Sequence, residues 1–503
     1  MKIPQEVQSV IEKLTKAGYE AYIVGGCVRD LLMDKAPKDW DVTTNAKPEE
    51  IQKIFSSPEG ETPTESVGAG YHSFYENTFG TVGVVTGSED PTLAVIEVTT
   101  YRTEAGYSDK RHPDEVKFSD KLEHDLERRD FTMNSIAMGF DSPDATRYTL
   151  HDPFGGQQDI ERKLIRAVGD PEARFNEDAL RMMRAVRFAA TLGFKIEEKT
   201  HAAITKLDAH LDHISAERIH DELLKLIGGD HAAEGIELLR ETGLLKHVLS
   251  DLLEGVGITQ NLHHIYTVWE HNVRALAYTA EKKYPIEVRL AALLHDVGKP
   301  RSKRGEGHNS TFYGHDVIGA RMAVKALERL KFSREMTDKI SKLVRYHMFY
   351  YLPDEVTESS VRRLVANIGK ENVEDLLKVR EADRIGSGTP KAIPYKLRHL
   401  KFMIDKVARD PISPKMLKVN GNDIMMLLKI EPGPKVGMIM NALMEEVLED
   451  PAKNSKEYLE ARSKELATLS EADLKQLSQQ GKEKTAELES EEIEQIKQKH
   501  FVK

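Results

Sequence analysis

Strand-like runs stop near residue 150. Before that point, short segments rich in Val, Ile and Thr alternate with stretches of helical period. After Pro153 helical periodicity takes over. This switch predicts an α/β head over residues 1–150 and helical modules beyond it. At roughly 100–200 residues per domain, a chain of 503 residues implies three or four domains. Breaks are expected near 150, across 215–260, and around Gly386–Pro394, where Gly, Ser and Pro cluster. No internal repeat is visible.

The single cysteine, Cys27, excludes a disulfide framework and any Cys-rich zinc site. The 72 Lys and Arg against 83 Asp and Glu leave a net charge of −11, which argues against a generic nucleic-acid coat while permitting a local basic groove. No apolar run approaches the roughly 20 residues that span a bilayer. The N-terminus lacks the apolar stretch of a secretory signal, so a cytoplasmic protein with no membrane partner is expected.

Within the head, Ala21-Tyr22-Ile23-Val24 reads as a strand running into Gly25-Gly26, and residues 28–33 as the start of a helix. Asp39-Trp40-Asp41-Val42 has strand alternation, so Asp39 and Asp41 are predicted to point from one face. Two carboxylates placed so make an oxygen-rich site suited to Mg²⁺. Two such ions would clamp the attacking hydroxyl and the leaving pyrophosphate of a nucleotidyl transfer. Glycines between strand and helix let backbone N–H groups approach a triphosphate. Glu97, on a later predicted strand, is either a third carboxylate or a paired structural Glu.

The segments GGCVRDLLMDKAPKDWDVTT, IEVTTYRTE, RRDFTMNSIAM, DPFGGQQDI and FNEDALRMMRAVRFAATLGF, in that order across residues 20–195, resemble the tRNA nucleotidyltransferase and bacterial poly(A) polymerase family. This is the class II branch of the polymerase-β-like superfamily. The resemblance implies a polymerase-β-like head followed by helical neck, body and tail. It implies catalytic metals on Asp39 and Asp41, ribose recognition by Asp130, and nucleotide contacts from Gly25, Gly26, Arg29 and Arg128. Residues 102–116 resemble the family's flexible loop linked to the final A addition, with His112 after Arg111 where Arg is commoner; an ordinary charged surface loop is the other reading. The segment 57–76 matches nothing in that pattern.

Glu177, Asp178 and Arg181 fall on a helical stretch, 151–215, where Asp178 and Arg181 are expected to share a face. An intrahelical ion pair explains them blandly. Base readout is the alternative. Ionised Asp only accepts and Arg only donates. Cytosine and adenine both offer an amine beside a ring-nitrogen acceptor, so one Asp–Arg pair satisfies either; uracil and guanine leave groups unpaired. The resembled family assigns this role to its EDxxR motif, with Glu177 orienting Arg181. Arg184 and Arg187 continue the spacing, facing either phosphate or solvent.

His271, His295-Asp296, His315, His347 and Asp383 follow in order through 261–390. HDVGK at 295–299 resembles the signature of HD-superfamily metal phosphohydrolases. That resemblance implies one metal on His271, His295, Asp296 and Asp383, with His315 and His347 as the extra ligands of two-metal members. Mixed imidazole and carboxylate ligands suit Mn, Fe, Ni or Zn better than Mg²⁺ alone, and a bound metal would activate water toward a phosphate ester. Lys299 contacts phosphate or snorkels, and His263, His264 and His308 are structural or solvated.

Residues 216–260 read as a helical body similar to the family's RNA-binding region, and 391–462 as a helical tail, with a helix starting near 433–437. Residues 463–503 read as one or two charged helices, starting at Ser470, or as partly disordered. The expected partners are tRNA, CTP and ATP. The expected reaction is template-free CCA addition, with A-only addition or poly(A) tailing as alternatives. A phosphohydrolase with an inactive head is the rival from another class, and a non-catalytic RNA-binding protein is a third.

Overall fold

A computed structural model describes residues 3–56, 72–75, 80–106, 115–140, 148–261, 265–349, 351–353, 355–408 and 414–502. Most of segment 57–76, residues 107–114 of the loop, His263, His264 and the side chain of His308 lie outside the described residues. The chain divides into two units: Met1–Met348 with Glu374–Pro390, and Phe349–Val373 with Lys391–Lys503.

The first unit begins with an amphipathic helix, Gln5–Lys16, whose Val7, Val10, Ile11 and Leu14 are all buried at helical spacing. Nine strands follow: β1 (Ala21–Val24), β2 (Asp41–Thr44), β3 (His72–Tyr75), β4 (Thr81–Val85), β5 (Val95–Thr100), β6 (Arg102–Ala105), β7 (Glu115–Phe118), β8 (Ala137–Phe140) and β9 (Tyr148–His151). Seven form one sheet in the order β3-β4-β5-β2-β1-β8-β9, and β6 pairs with β7 separately. Only β2 and β5 run parallel within the seven-stranded sheet. Their register sets Asp41 level with Glu97. In β5, Ile96, Val98 and Thr100 are buried while Val95 and Glu97 are exposed, so Glu97 projects from the open face.

Beyond the sheet the unit is helical, apart from a two-residue parallel pairing of Leu164–Ile165 with Lys195–Ile196. The helix Ala216–Ile227 is tied to Ile286–Leu294 by buried Arg289, which donates to the carbonyls of Ile227 at 3.0 Å and Gly229 at 2.9 Å. Carbonyls at a helix end lack partners of their own, so this guanidinium joins the two modules at an otherwise costly point.

The second unit packs helices Gly421–Leu428, Pro434–Glu449, Lys456–Ala467 and Glu471–Lys499 around Ile424, Ile439, Leu443, Leu459, Leu466 and Leu474. The last helix is a single element, capped by Ser470, whose hydroxyl accepts from the Asp473 amide. Among the described residues no helix is long and apolar enough to cross a membrane.

Candidate active site and metal centre

Gly25 links β1 to the short helix Gly26–Leu32 with φ of 86°, a backbone that L side chains rarely adopt. A Cβ there would sit 2.9 Å from Arg129 Nη1 and 3.4 Å from Asp41 Oδ2. Glycine therefore keeps open the space between a guanidinium and a carboxylate. Asp41 opens β2, but Asp39 lies in the bend before it, so the two are not alternate residues of one strand as expected. Lys38 and Asp39 are exposed, and Trp40 is buried and starts the pairing, its carbonyl accepting from Glu97 N at 3.2 Å. The Cys27 thiol is pushed up to about 12, by burial first and then by the charges of Asp41 and Asp39. Asp41 and its register neighbour Glu97, with Asp39 two residues ahead in the bend, offer hard oxygen donors where β2 begins, a donor set that fits Mg²⁺.

Arg29 belongs to the helix Gly26–Leu32 that follows Gly25. It donates to Asp30 at 2.7 Å and to Asn134 at 2.8 Å, and its guanidinium is 3.6 Å from the Cβ position of Gly26. Asn134 donates to Asp130, which also accepts from the Phe131 amide at 2.8 Å and from Arg184 at 2.7 Å. Burial works against the Asp130 carboxylate, yet Arg184 and Asn134 hold its pKa down at about 2. Arg128 is engaged by buried Asp125 at 2.6 Å and by Glu104 at 3.4 Å. Its neighbour Arg129, whose Nη2 pairs with Asp125 at 3.1 Å, is the one whose guanidinium comes up to Gly25, a placement the sequence reading missed; the doubled arginine of RRD was the available signal.

The neck departs from expectation. Asp178 is not on a continuous helix with Arg181. It stands at the junction of helices Pro171–Glu177 and Leu180–Leu192, in extended conformation, with Oδ1 accepting from Leu180 N at 3.0 Å. An Asp ahead of an apolar run prefers to cap rather than continue a helix, which is the physical reason for the break. There is no Asp178–Arg181 ion pair. Arg181 is held by Glu177 at 2.5 Å and donates to the carbonyls of Arg174 and Arg128. Asp178 is gripped by both Nη atoms of Arg218, at 2.7 and 3.2 Å, a partner 40 residues away that the sequence reading did not find. Arg184 and Arg187 are not a free basic stripe either. Arg184 pairs with Asp130; Arg187 pairs with buried Glu222 at 2.9 Å and lies 3.6 Å over the Phe188 ring.

In the HD module the six predicted residues come together. His271 rides on helix Val268–Glu281, His295 ends Ile286–Leu294, His315 begins His315–Arg329, His347 ends Arg334–Tyr346 and Asp383 lies on Val373–Gly386. Asp296 Oδ2 is 3.0 Å from His271 Nε2 and 3.3 Å from His295 Nε2. Its Oδ1 is 3.3 Å from His315 Nε2 and 3.5 Å from His347 Nε2. Asp383 closes the first group, 3.3 Å from His271. Gly298 permits this closeness, since a Cβ there would collide with the His315 carbonyl and the Gly319 amide.

The Nδ1 atoms of His295, His315 and His347 each lie 2.7 Å from a backbone carbonyl three residues earlier. A carbonyl only accepts, so Nδ1 carries a proton and Nε2 is turned to the centre. The Nε2 atoms of His315 and His347 are buried there without a hydrogen bond, and burial holds the His347 pKa below its ordinary value. Burial also opposes ionisation of Asp296 and Asp383. Lys299 and His295 around the first, and Arg380 and the imidazoles around the second, outweigh it and keep both well below the usual carboxylate range. The same two carboxylates raise His295 to about 10 against its burial, so the centre draws positive charge. These residues fit divalent metal ions. Lys299 Nζ bridges Asp296 at 2.5 Å and Gln260 at 2.6 Å, rather than reaching solvent. A pocket of 620 Å³ opens beside the centre, lined by Lys299, Tyr313, Met348, Arg380 and Arg384.

Residues 21–166 match the model of the "Poly A polymerase head domain", 193–254 that of the "Probable RNA and SrmB- binding site of polymerase A", and 261–386 the HD domain. A CCA-adding enzyme of Bacillus cytotoxicus is 32% identical over 464 residues, covering 91% of this chain and 98% of that protein. One from Geobacillus thermodenitrificans is 47% identical over 304 residues, 60% of this chain and 66% of that protein. In the first-matched curated relatives the aligned stretch spans about half to two thirds of their length. The crystal structure of the Bacillus stearothermophilus CCA-adding enzyme in complex with CTP superposes with a TM-score of 0.57 at 30% identity, covering 92% of this chain and 98% of that one.

Proposed function

This chain belongs to the CCA-adding enzyme family, and we propose that it adds the CCA 3′ end to tRNA from CTP and ATP without a nucleic-acid template, releasing pyrophosphate. The observation that carries this reading is the acidic start of β2, where Asp41 stands level with Glu97 beside the opening kept by Gly25. Asp39, Asp41 and Glu97 would hold Mg²⁺, which when bound supplies charge neutralisation at the attacking 3′-oxygen and the leaving pyrophosphate. Gly25 and Gly26 admit the triphosphate, and Arg129 offers it positive charge. Asp130, fixed by Arg184 and Asn134, is the ribose contact, with Arg29 and Arg128 bracing the floor. Asp178 accepts the amine of cytosine or adenine, and Arg181, oriented by Glu177, donates to the adjacent ring nitrogen. With protein as template, tRNA is gripped by shape and backbone rather than by sequence. The solved relative's complex with CTP supports the nucleotide assignment.

The HD centre is read as a metal-dependent phosphohydrolase site for RNA ends or nucleotides, favoured by imidazoles aimed at Asp296 beside a pocket carrying Lys299, Arg380 and Arg384. Imidazole with carboxylate suits Mn, Fe, Ni or Zn.

The decisive experiment supplies tRNAs ending before CCA, before CA and before A, with each NTP separately. CTP should enter the tRNAs ending before CCA and before CA, and ATP should enter the tRNA that already ends in CC. ATP entering only that last tRNA, with no CTP incorporation anywhere, would mean A-only addition, and long A runs would mean poly(A) tailing. Incorporation that survives Asp39→Ala would overturn the head assignment.

A further inference from the structure

We propose that Arg218 is a positioning residue for base selection: it fixes the posture of the Asp178 carboxylate so that one acceptor site faces the incoming base. The inference rests on the base-reading role proposed for Asp178.

Three observations carry it. Arg218 Nη1 and Nη2 take separate oxygens of Asp178, at 3.2 and 2.7 Å, so the carboxylate plane is set by a fork rather than by a point charge. Asp178 sits in extended backbone between two helices, where no helix hydrogen-bond ladder dictates its side-chain direction. The acceptor count also comes out to one remaining site. A carboxylate offers about four lone-pair positions. Oδ1 receives Leu180 N–H and one Arg218 N–H, and Oδ2 receives the other Arg218 N–H. One position on Oδ2 is left, matching the single proton a base amine needs to donate. Arg181 is paired with a charge of opposite sign, Glu177, through one contact. The two readers thus each have a charged partner, one local and one supplied by helix Ala216–Ile227.

Without Arg218 the Asp178 carboxylate swings about its side-chain bonds and accepts a misplaced donor or none. Selection against uracil then weakens more than turnover with cytosine. The test uses the full chain and tRNA ending before CCA, and measures kcat/KM for CTP and for UTP with wild type, Arg218→Ala, Arg218→Lys and Asp178→Ala. The ratio of the two constants on one preparation cancels any loss of folded protein. Expected is a drop in the CTP:UTP ratio of about tenfold or more for Arg218→Ala. Arg218→Lys, which keeps charge but not the fork, should recover only part. If Arg218→Ala does not fold, Arg218→Gln is read by the same ratio. An unchanged ratio in the Arg218 variants, with the ratio lost in Asp178→Ala, overturns this inference and leaves base reading by Asp178 intact. An unchanged ratio in Asp178→Ala overturns both.

Discussion

Gly25 combines two constraints that a methyl group would violate at once. Its φ of 86° disfavours any L side chain, and a Cβ would press on Arg129 beside Asp41. Gly25→Ala should cost on the order of 1 kcal/mol in backbone strain. It should also raise KM for CTP by displacing Arg129 from the opening; urea unfolding and nucleotide titration separate the two effects. Asp130 gives a pH signature. Its pKa falls from 3.8 to about 2 on folding, so it contributes stability that is complete above the unfolded value and is lost as pH falls through the folded one. The shift is worth about 2 kcal/mol at neutral pH, and about half of it is gone by pH 3. Asp130→Asn should therefore be less stable than wild type by that amount at pH 7, with the gap closing toward pH 2 in parallel urea titrations.

At the level of elements, the terminal helix Glu471–Lys499 shows what stabilises it. Its surface is charged, but Leu474 and Ile496 are buried, the first against Leu443, Leu459 and their neighbours, the second against Phe402 and Val502. Leu474→Ala should cost about 2–5 kcal/mol through the cavity it leaves. Lys484→Ala, which removes a surface pair with Glu449, should fall within about 0.5 kcal/mol of wild type. Chemical denaturation of the two variants checks this contrast. Elements with local signals were readable from sequence: the apolar spacing of Gln5–Lys16, the Ser470 cap, and the strand bearing Glu97. The Asp178 junction was misread because no Gly or Pro marks it and its main partner, Arg218, lies on another helix. The acidic residues of the head could be named in advance, but the register that brings Asp41 level with Glu97 could not, since parallel pairing across 56 positions leaves no local trace.

At the scale of the molecule, the two metal-dependent chemistries proposed for this chain would draw on different donor sets. The head offers carboxylate oxygens alone; the HD centre mixes buried imidazoles with carboxylates. Their metal preferences should therefore separate. Exhaustive chelation should stop both CTP incorporation and release of phosphate from a nucleoside monophosphate. Mg²⁺ alone should restore incorporation, while Mn²⁺ or Ni²⁺ should be needed for full phosphate release. Asp41→Ala should lower incorporation on the order of a hundredfold or more and leave phosphate release unchanged; His295→Ala with Asp296→Ala should do the reverse. Stability distinguishes a real HD centre from a merely structural one. An ion bound among His271, His295, Asp296 and Asp383 stabilises the folded state by mass action, about 2.7 kcal/mol at a hundred times its Kd. Adding Mn²⁺ or Ni²⁺ to chelated wild type should raise its melting temperature, and the His295→Ala, Asp296→Ala variant should not respond. A variant that responds as wild type does, or that keeps releasing phosphate, would mean that these histidines and aspartates are packing residues and that the second chemistry does not reside there.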